Sequence, residues 1–257
     1  MIELWTPTVM KIYNALGGQM RLVGGCVRDF LLGRMPEDID LATPLLPGMV
    51  REKLSQQGIK SHPIAPRHGV VGILLDGRQF EITTLRQDTY DTGREKITFI
   101  TDYARDALRR DFTINALFMD PDKVYDYCGG QTDLKAHQVR FIGDPLTRLK
   151  EDPLRLLRYI RFWACYGGEK PDKAVIRLFP TVRKGLNQVS LSRRKKEFFK
   201  ILMLDKVVSA LGYLREGGIL PFLTEKDGLD ELERFLTLYP TAGVAQRLSF
   251  FGNFIKT

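Results

Sequence analysis

Two acids in the segment EDIDLAT, Asp38 and Asp40, are separated by a single residue. On a strand, period-two geometry points both carboxylates to one face. Like charges held that close are costly unless a divalent cation compensates them. Glu81, in RQFEITTLR, is placed to add a third acid from a neighbouring strand. Three carboxylates can seat two magnesium ions, one activating a hydroxyl nucleophile and one stabilising a leaving pyrophosphate. A bare DxD also occurs at surface strand edges and turns, where it binds nothing. Just upstream, in LVGGCVRDFL, Gly24 and Gly25 let backbone amides approach a phosphate at a helix N-terminus. Arg28, one turn on, can grip a triphosphate with its guanidinium fork. Asp29 either orients Arg28 or caps the turn locally. A diglycine alone is usually only a turn, but a glycine turn, an arginine and two acids within 17 residues form a much rarer set.

These residues need elements to hold them. MRLVGGCVRDFLLGR reads as strand, diglycine turn and helix, and residues 8–17 as a short helix before it. IDLATP reads as a strand, and MVREKLSQQG as a helix ending at Gly58. HGVVGILLDGRQFEITTLR is an apolar hairpin turning at Asp76-Gly77. ARDALRRDFTINALFM returns to a helical pattern, and VYDY adds a short strand. After about residue 140 strand signals fade. DPLRLLRYIRFWACYG, KAVIRLFPTVRKGL, SRRKKEFFKILML, KVVSALGYLREGG and LDELERFLTLY are helical segments broken by Gly and Pro. The pattern predicts an α/β or α+β head with a small sheet, joined to a helical part.

The net charge of +8 is concentrated rather than spread. Residues 1–140 carry 18 Lys/Arg against 18 Asp/Glu, residues 141–204 carry 15 against 6, and residues 205–257 carry 6 against 7. A basic segment of this kind is either a solvated face or a surface for a phosphate-rich polymer. Within it, Arg193, Arg194, Lys195 and Lys196 are the candidate contacts to a phosphate backbone, with a solvated helix end as the alternative. No apolar run approaches the roughly 20 residues needed to span a bilayer, and the N-terminal sequence lacks a signal-peptide pattern. Cys26, Cys128 and Cys165 are scattered, without a CxxC pair, and the three histidines show no ligand spacing. The reading is a protein of the reducing cytoplasm. Trp5 and Trp163 read as packed rather than base-stacking.

LVGGCVRDFLLGRMPEDIDLAT resembles the signature of the class II tRNA nucleotidyltransferase and bacterial poly(A) polymerase family, within the polymerase-β-like nucleotidyltransferases. The resemblance continues in order through FEITTLRQDTYDTGR, RRDFTINAL, YDYCGGQTDL, RFIGDP and EDPLRLLRYIRF. It covers about residues 20–165 and thins beyond them, where LSRRKKEFFKIL is similar to the family's later neck segment. It implies an α+β fold: a nucleotidyltransferase head over residues 1–138 with a small mixed sheet, an all-helical neck over 139–204, and a short helical body over 205–257. It implies that Asp38 and Asp40 are the metal pair and Glu81 the third acid, holding two Mg2+ ions. Gly24, Gly25 and Arg28 fall at the nucleotide-contacting turn. Arg110 and Asp111 of RRDFTIN match the motif that handles ribose, with Asn115 nearby and Arg109 a companion. The implied substrates are CTP, ATP and the acceptor end of tRNA, with neither membrane nor protein partner.

EDPLRLLRYIRF permits a chemical argument of its own. Asp152, Arg155, Arg158 and Arg161 recur every three residues, on adjoining parts of one helical face. Leu154, Leu157 and Ile160 form a parallel apolar stripe. A carboxylate beside a guanidinium offers an acceptor next to donors. Cytosine and adenine both present an exocyclic amine beside a ring-nitrogen acceptor, whereas uracil and guanine present the inverse. Asp152–Arg155 can therefore accept C and A and reject U and G, each unpaired polar group of a wrong base costing about 1–3 kcal/mol. The plainer alternatives are a surface ion pair worth a few tenths of a kcal/mol, about 0.3, or Asp152 capping a helix whose first residue is Pro153. Arg158 and Arg161 support the pair, touch the triphosphate or simply pack.

The stretch from Arg86 to Arg109 resembles the full flexible loop of members that add C, C and A, and residues 205–257 lack the basic extension of the poly(A)-forming members. Ordered addition of C, C and A to tRNA is therefore favoured over poly(A) synthesis and over partial CC- or A-addition. A catalytically silent RNA-binding module is the reading from another class, and the retained acids and Arg28 argue against it. Family members usually have a larger body and tail that grip the tRNA elbow, so the resemblance implies a weaker grip on tRNA for this shorter chain. A footprint confined to the acceptor end would support this, and protection of the elbow would count against it.

Overall fold

The structure, a computed structural model, describes residues 4–91, 94–224 and 229–238, and beyond these only residues 243, 246 and 249. The chain divides into two compact units, Met1–Leu134 and Lys135–Thr257.

The first unit is built on a seven-stranded mixed sheet of order β3-β4-β5-β2-β1-β8-β9. Its strands are β1 (Arg21–Val23), β2 (Asp40–Thr43), β3 (Ser61–Ala65), β4 (Val70–Leu75), β5 (Arg78–Thr84), β8 (Leu117–Met119) and β9 (Val124–Asp126). A separate ribbon pairs β6 (Arg86–Asp91) with β7 (Arg94–Phe99). Every neighbouring pair in the large sheet is antiparallel except β2 and β5, which run parallel. Helices α1 (Pro7–Ala15), α2 (Gly25–Leu31) and α3 (Pro47–Gln56) supply Val9, Ile12, Val27, Val50 and Leu54 to a core shared with Leu22, Leu41, Val71, Ile73 and Ile82 of the sheet. Each such side chain stabilises the fold by roughly 1.5–3 kcal/mol when fully buried. The β4–β5 turn falls at Asp76-Gly77, where φ is 51° and 73°. That left-handed pair is the type I′ geometry whose twist matches the strands it joins.

Two sequence expectations, the long helix after residue 104 and the strand position of Asp38, are corrected here. The helical reading of ARDALRRDFTINALFM holds only for α4 (Tyr103–Arg109). Arg110 is extended (φ −66°, ψ 166°), a one-turn 3-10 helix follows at Thr113–Asn115, and Leu117–Met119 is strand β8. The Asp111 carboxylate accepts from the Phe112 amide, giving the backbone a local alternative to the helix. The expected flexible loop contains the β6–β7 ribbon, whose Thr, Tyr, Ile and Phe residues are strand formers. The strand read over IDLATP begins at Asp40, so Asp38 lies in the irregular segment before it, after Pro36 and other poor strand formers.

The elements described in the second unit are all helices. After α5 (Gly130–Lys135), at the junction, come α6 (Pro145–Glu151), α7 (Arg155–Tyr166), α8 (Lys173–Ile176) and α9 (Phe179–Val182). They are followed by α10 (Leu191–Leu202), α11 (Val207–Glu216) and α12 (Leu229–Leu238). The apolar stripe of α7 is buried as its spacing predicts, with Leu157 and Ile160 both at 0% exposure. Trp163 packs edge-on against Tyr213 of α11 and Trp5 against Tyr13, in keeping with their expected packing roles. No helix among the described residues is long and apolar enough to cross a membrane.

Candidate active site

The β2–β5 pairing places Asp40 directly opposite Glu81, followed by Leu41 opposite Ile82. Leu41 and Ile82 are wholly buried, whereas both acids are exposed, because alternation turns them away from the core. Asp38 comes from the segment just before β2, close enough for its charge to act on Asp40. Partial desolvation is the main reason the Asp40 carboxyl is held above its ordinary value. Arg110 opposes that shift, and the negative charges of Glu81 and Asp38 add to it.

Among the described residues, no three acids, histidines or cysteines stand close enough to hold a metal ion by themselves. That is compatible with magnesium, which usually keeps several waters and binds through one or two carboxylates plus substrate phosphates. Asp40 and Glu81, mutually repelling and exposed, are the donors that fit such an ion, and Asp38 is the neighbouring charge.

The diglycine turn stands between two guanidiniums. Gly24 has φ 75° and ψ −122°, a conformation that side chains rarely adopt. A Cβ at Gly24 would meet Arg110 Nη1 at 3.5 Å, and one at Gly25 would meet Arg28 Nη2 at 3.5 Å. Arg28 is buried and locked in place. Its Nε and Nη2 donate to the two carboxylate oxygens of Asp29 at 2.9 and 3.0 Å, and Nη1 donates to Asn115 Oδ1 at 2.6 Å. Asp29 thus orients Arg28, one of the two roles its position allowed. Asn115 Nδ2 in turn donates to Asp111 Oδ1 at 3.0 Å, so the RRDFTIN segment and the turn share one hydrogen-bonded chain. Arg110 is held by Asp106, to which its Nη2 donates at 3.1 Å. Desolvation lowers the Arg110 pKa, against the pull of Asp106.

The second unit treats its candidates differently. Arg155 is buried and donates through Nη1 to Glu151 at 2.7 Å and to the Arg148 carbonyl at 3.0 Å. Asp152 accepts from Arg193 Nη2 at 3.0 Å and, through Oδ1, from the Leu154 amide at 3.1 Å. The two residues are each anchored by another partner, and Asp152 also caps the turn leading into α7. Arg161 pairs with buried Glu197 of α10, and the Arg158 and Arg161 guanidiniums lie 5.3 and 4.2 Å from the Phe162 ring centre. Of the basic cluster, Arg194 donates to the Phe222 carbonyl at 2.7 Å, while Arg193 and Lys196 are exposed and Lys195 half-buried.

Sequence reasoning passed over Glu151, Glu197 and Asp106 as partners. Glu151 lies four residues before Arg155, and Asp106 lies three and four before Arg109 and Arg110, so helical spacing pointed to both. Glu197 lies 36 residues from Arg161 and carried no such signal.

Residues 20–140 match the family described as the poly A polymerase head domain. The mouse protein named CCA tRNA nucleotidyltransferase 1, mitochondrial, is 37% identical over 224 residues, covering 84% of this chain and 51% of that protein. The CCA-adding enzyme of Bacillus pumilus is 38% identical over 245 residues, covering 93% of this chain and 60% of the relative. The crystal structure of Bacillus stearothermophilus CCA-adding enzyme in complex with CTP superimposes with a TM-score of 0.76 at 28% identity, over 86% of this chain and 54% of that one. The chain thus spans between half and three fifths of the length of these relatives.

Proposed function

Because residues 20–140 belong to the poly A polymerase head-domain family and the chain is related to CCA-adding enzymes across most of its length, we propose that it is a tRNA nucleotidyltransferase. On this reading it adds CMP, CMP and AMP, from CTP and ATP, to the 3′ end of tRNA without a nucleic-acid template. The observation that carries the reading is the register of Asp40 against Glu81, in the same unit as a diglycine turn flanked by Arg28 and Arg110. Asp40 and Glu81 would hold magnesium, with Asp38 as a neighbouring charge rather than the third ligand its spacing predicted. The metal would supply activation of the RNA 3′-hydroxyl and charge neutralisation at the leaving pyrophosphate. Arg28, fixed by Asp29 and Asn115, grips phosphate oxygens with a guanidinium that loses little entropy on binding, because it is already ordered. Gly24 leaves room for the phosphates and for Arg110. Asp111, steadied through Asn115, accepts from the ribose.

Base choice we assign to Asp152 and Arg155. Glu151 and Arg193 fix the directions in which these side chains present their acceptor and donors. Replacing both with Ala is expected to relax selectivity for CTP and ATP more than it weakens tRNA binding. Unchanged selectivity in that double variant removes the assignment. The exposed basic residues of α10 we assign to the tRNA backbone, and the three cysteines, all free, suit the cytoplasm as the site of action.

The direct test is incubation with magnesium, tRNA lacking its 3′ end and each nucleoside triphosphate separately and together. Ordered incorporation of C, C and A is expected. Long A tracts would replace the reading with poly(A) synthesis, and tRNA binding without incorporation would replace it with an RNA-binding module.

A further inference from the structure

One buried carboxylate in the first unit has no part in the reading above beyond holding Arg110. Asp106, on α4, is 1% exposed and gathers donors from three places. Its Oδ1 accepts from the Arg86 backbone amide, at the start of β6, at 3.0 Å, and from Arg109 Nε at 2.8 Å. Its Oδ2 accepts from Arg110 Nη2 at 3.1 Å and Nε at 3.3 Å. The link to the ribbon is made twice, since Arg109 Nη1 also lies 3.6 Å from Asp88 Oδ2 on β6, and Asp88 Oδ1 lies 3.1 Å from Arg86 Nε. A carboxylate this deeply buried is tolerable only because cations and hydrogen-bond donors surround it. It therefore cannot change partners at low cost. If the ribbon moves, Arg86 and Asp88 move with it, and the shared carboxylate and Arg109 pass that displacement on to Arg110.

We propose that Asp106 is a positioning residue through which the β6–β7 ribbon sets the place of Arg110 beside Asp40 and the Gly24 turn. The ribbon thereby tunes the electrostatics of the metal-binding acids without touching them. Arg110 placed close lowers the charge repulsion at Asp40, and Arg110 withdrawn restores it. This deepens the proposed function, on which its kinetic consequence rests, but the coupling itself exists whatever reaction the site performs.

The test uses the full chain and the variants Asp88→Asn, Asp106→Asn and the double variant. The Arg110 Nε–H signal in a nitrogen-15 NMR spectrum, assigned by its loss in Arg110→Lys, reports the guanidinium directly. It is expected to shift in Asp88→Asn, although Asp88 does not touch Arg110 in the structure, and to broaden or vanish in Asp106→Asn. With tRNA and CTP, Asp106→Asn is expected to lower kcat about tenfold or more, in the range for residues that orient a metal site, with KM for tRNA unchanged. Asp88→Asn is expected to lower it less, and the double variant to behave as Asp106→Asn alone. An Arg110 signal unmoved by Asp88→Asn overturns the proposal, as do rate losses that multiply. A wild-type protein that adds no nucleotide, yet whose Arg110 signal moves in Asp88→Asn, overturns the function and upholds the coupling. If Asp106→Asn does not fold, the Arg110 signal in Asp88→Asn decides alone.

Discussion

The Asp40 carboxylate feels two neighbouring acids and one guanidinium. Burial of its surroundings and the charges of Glu81 and Asp38 make the folded state prefer it protonated, so its folded pKa lies above the ordinary 3.8. A raised carboxyl value means the fold binds the proton more tightly than the unfolded chain does. Stability of the metal-free protein therefore falls as pH climbs through 3.8 towards that higher value. Asp40→Asn is expected to raise the melting temperature of metal-free protein at pH 7, to give no gain well below 3.8, and to abolish nucleotide addition. Calorimetric melting across pH checks the first two, and a melting temperature unchanged at pH 7 would show that the acids do not repel. Asp106 has the opposite sign. Burial works against its charge, but Arg110 and Arg109 outweigh it and hold its pKa below the ordinary value. Its contribution is present above 3.8 and lost as pH falls through the lower folded value. At this scale the sequence was informative about residue types. The acids, the diglycine and Arg28 stood out by spacing alone, whereas the partners that lock Arg161 and Asp152 come from residues 36 and 41 positions away. No local pattern encodes such pairings.

At the scale of elements, glycine punctuation was legible and the course of the chain between punctuation marks was less so. Asp76-Gly77 and Gly58 end their elements as expected because positive φ is a local requirement. The end of α4 at Arg109 was not legible, since RRDFTINAL keeps a helical apolar period while the Asp111 side chain and β8 pairing pull it out of the helix. Gly130 shows how tightly that region is then closed. A Cβ there would overlap the Thr113 carbonyl oxygen and carbon, which are backbone and cannot rotate aside. Gly130→Ala is expected to destabilise the protein by about 1–3 kcal/mol, the usual cost of overpacking, as measured by denaturant unfolding. Gly48→Ala, with open space around its Cβ position, serves as the control.

For the whole molecule, charge is the property that divides the two units. The excess of 15 basic over 6 acidic residues lies in 141–204, inside the helical second unit. Counterion release makes RNA affinity fall with salt in proportion to the phosphates neutralised. Lys195→Ala with Lys196→Ala is expected to weaken tRNA binding at low salt and reduce the salt slope by about one for each lysine that touches a phosphate. A slope left unchanged would make that helix a solvated face. The fade of strand signals after about residue 140 was readable because helical and strand periods differ. The seven-strand order was not, because the parallel β2–β5 pairing joins segments about forty residues apart, and only the tertiary structure chooses that partner.

That single parallel ladder ties foldability to chemistry. A slip of one residue by β2 would bring Phe80 or Ile82 opposite Asp40, and would turn buried Leu41 towards water in the same movement. Whatever keeps oil out of solvent along these two strands also aligns the charges at their ends. On the proposed function, a damaged core here is expected to surface first as a weakened grip on the divalent metal, and only later as an unfolded protein.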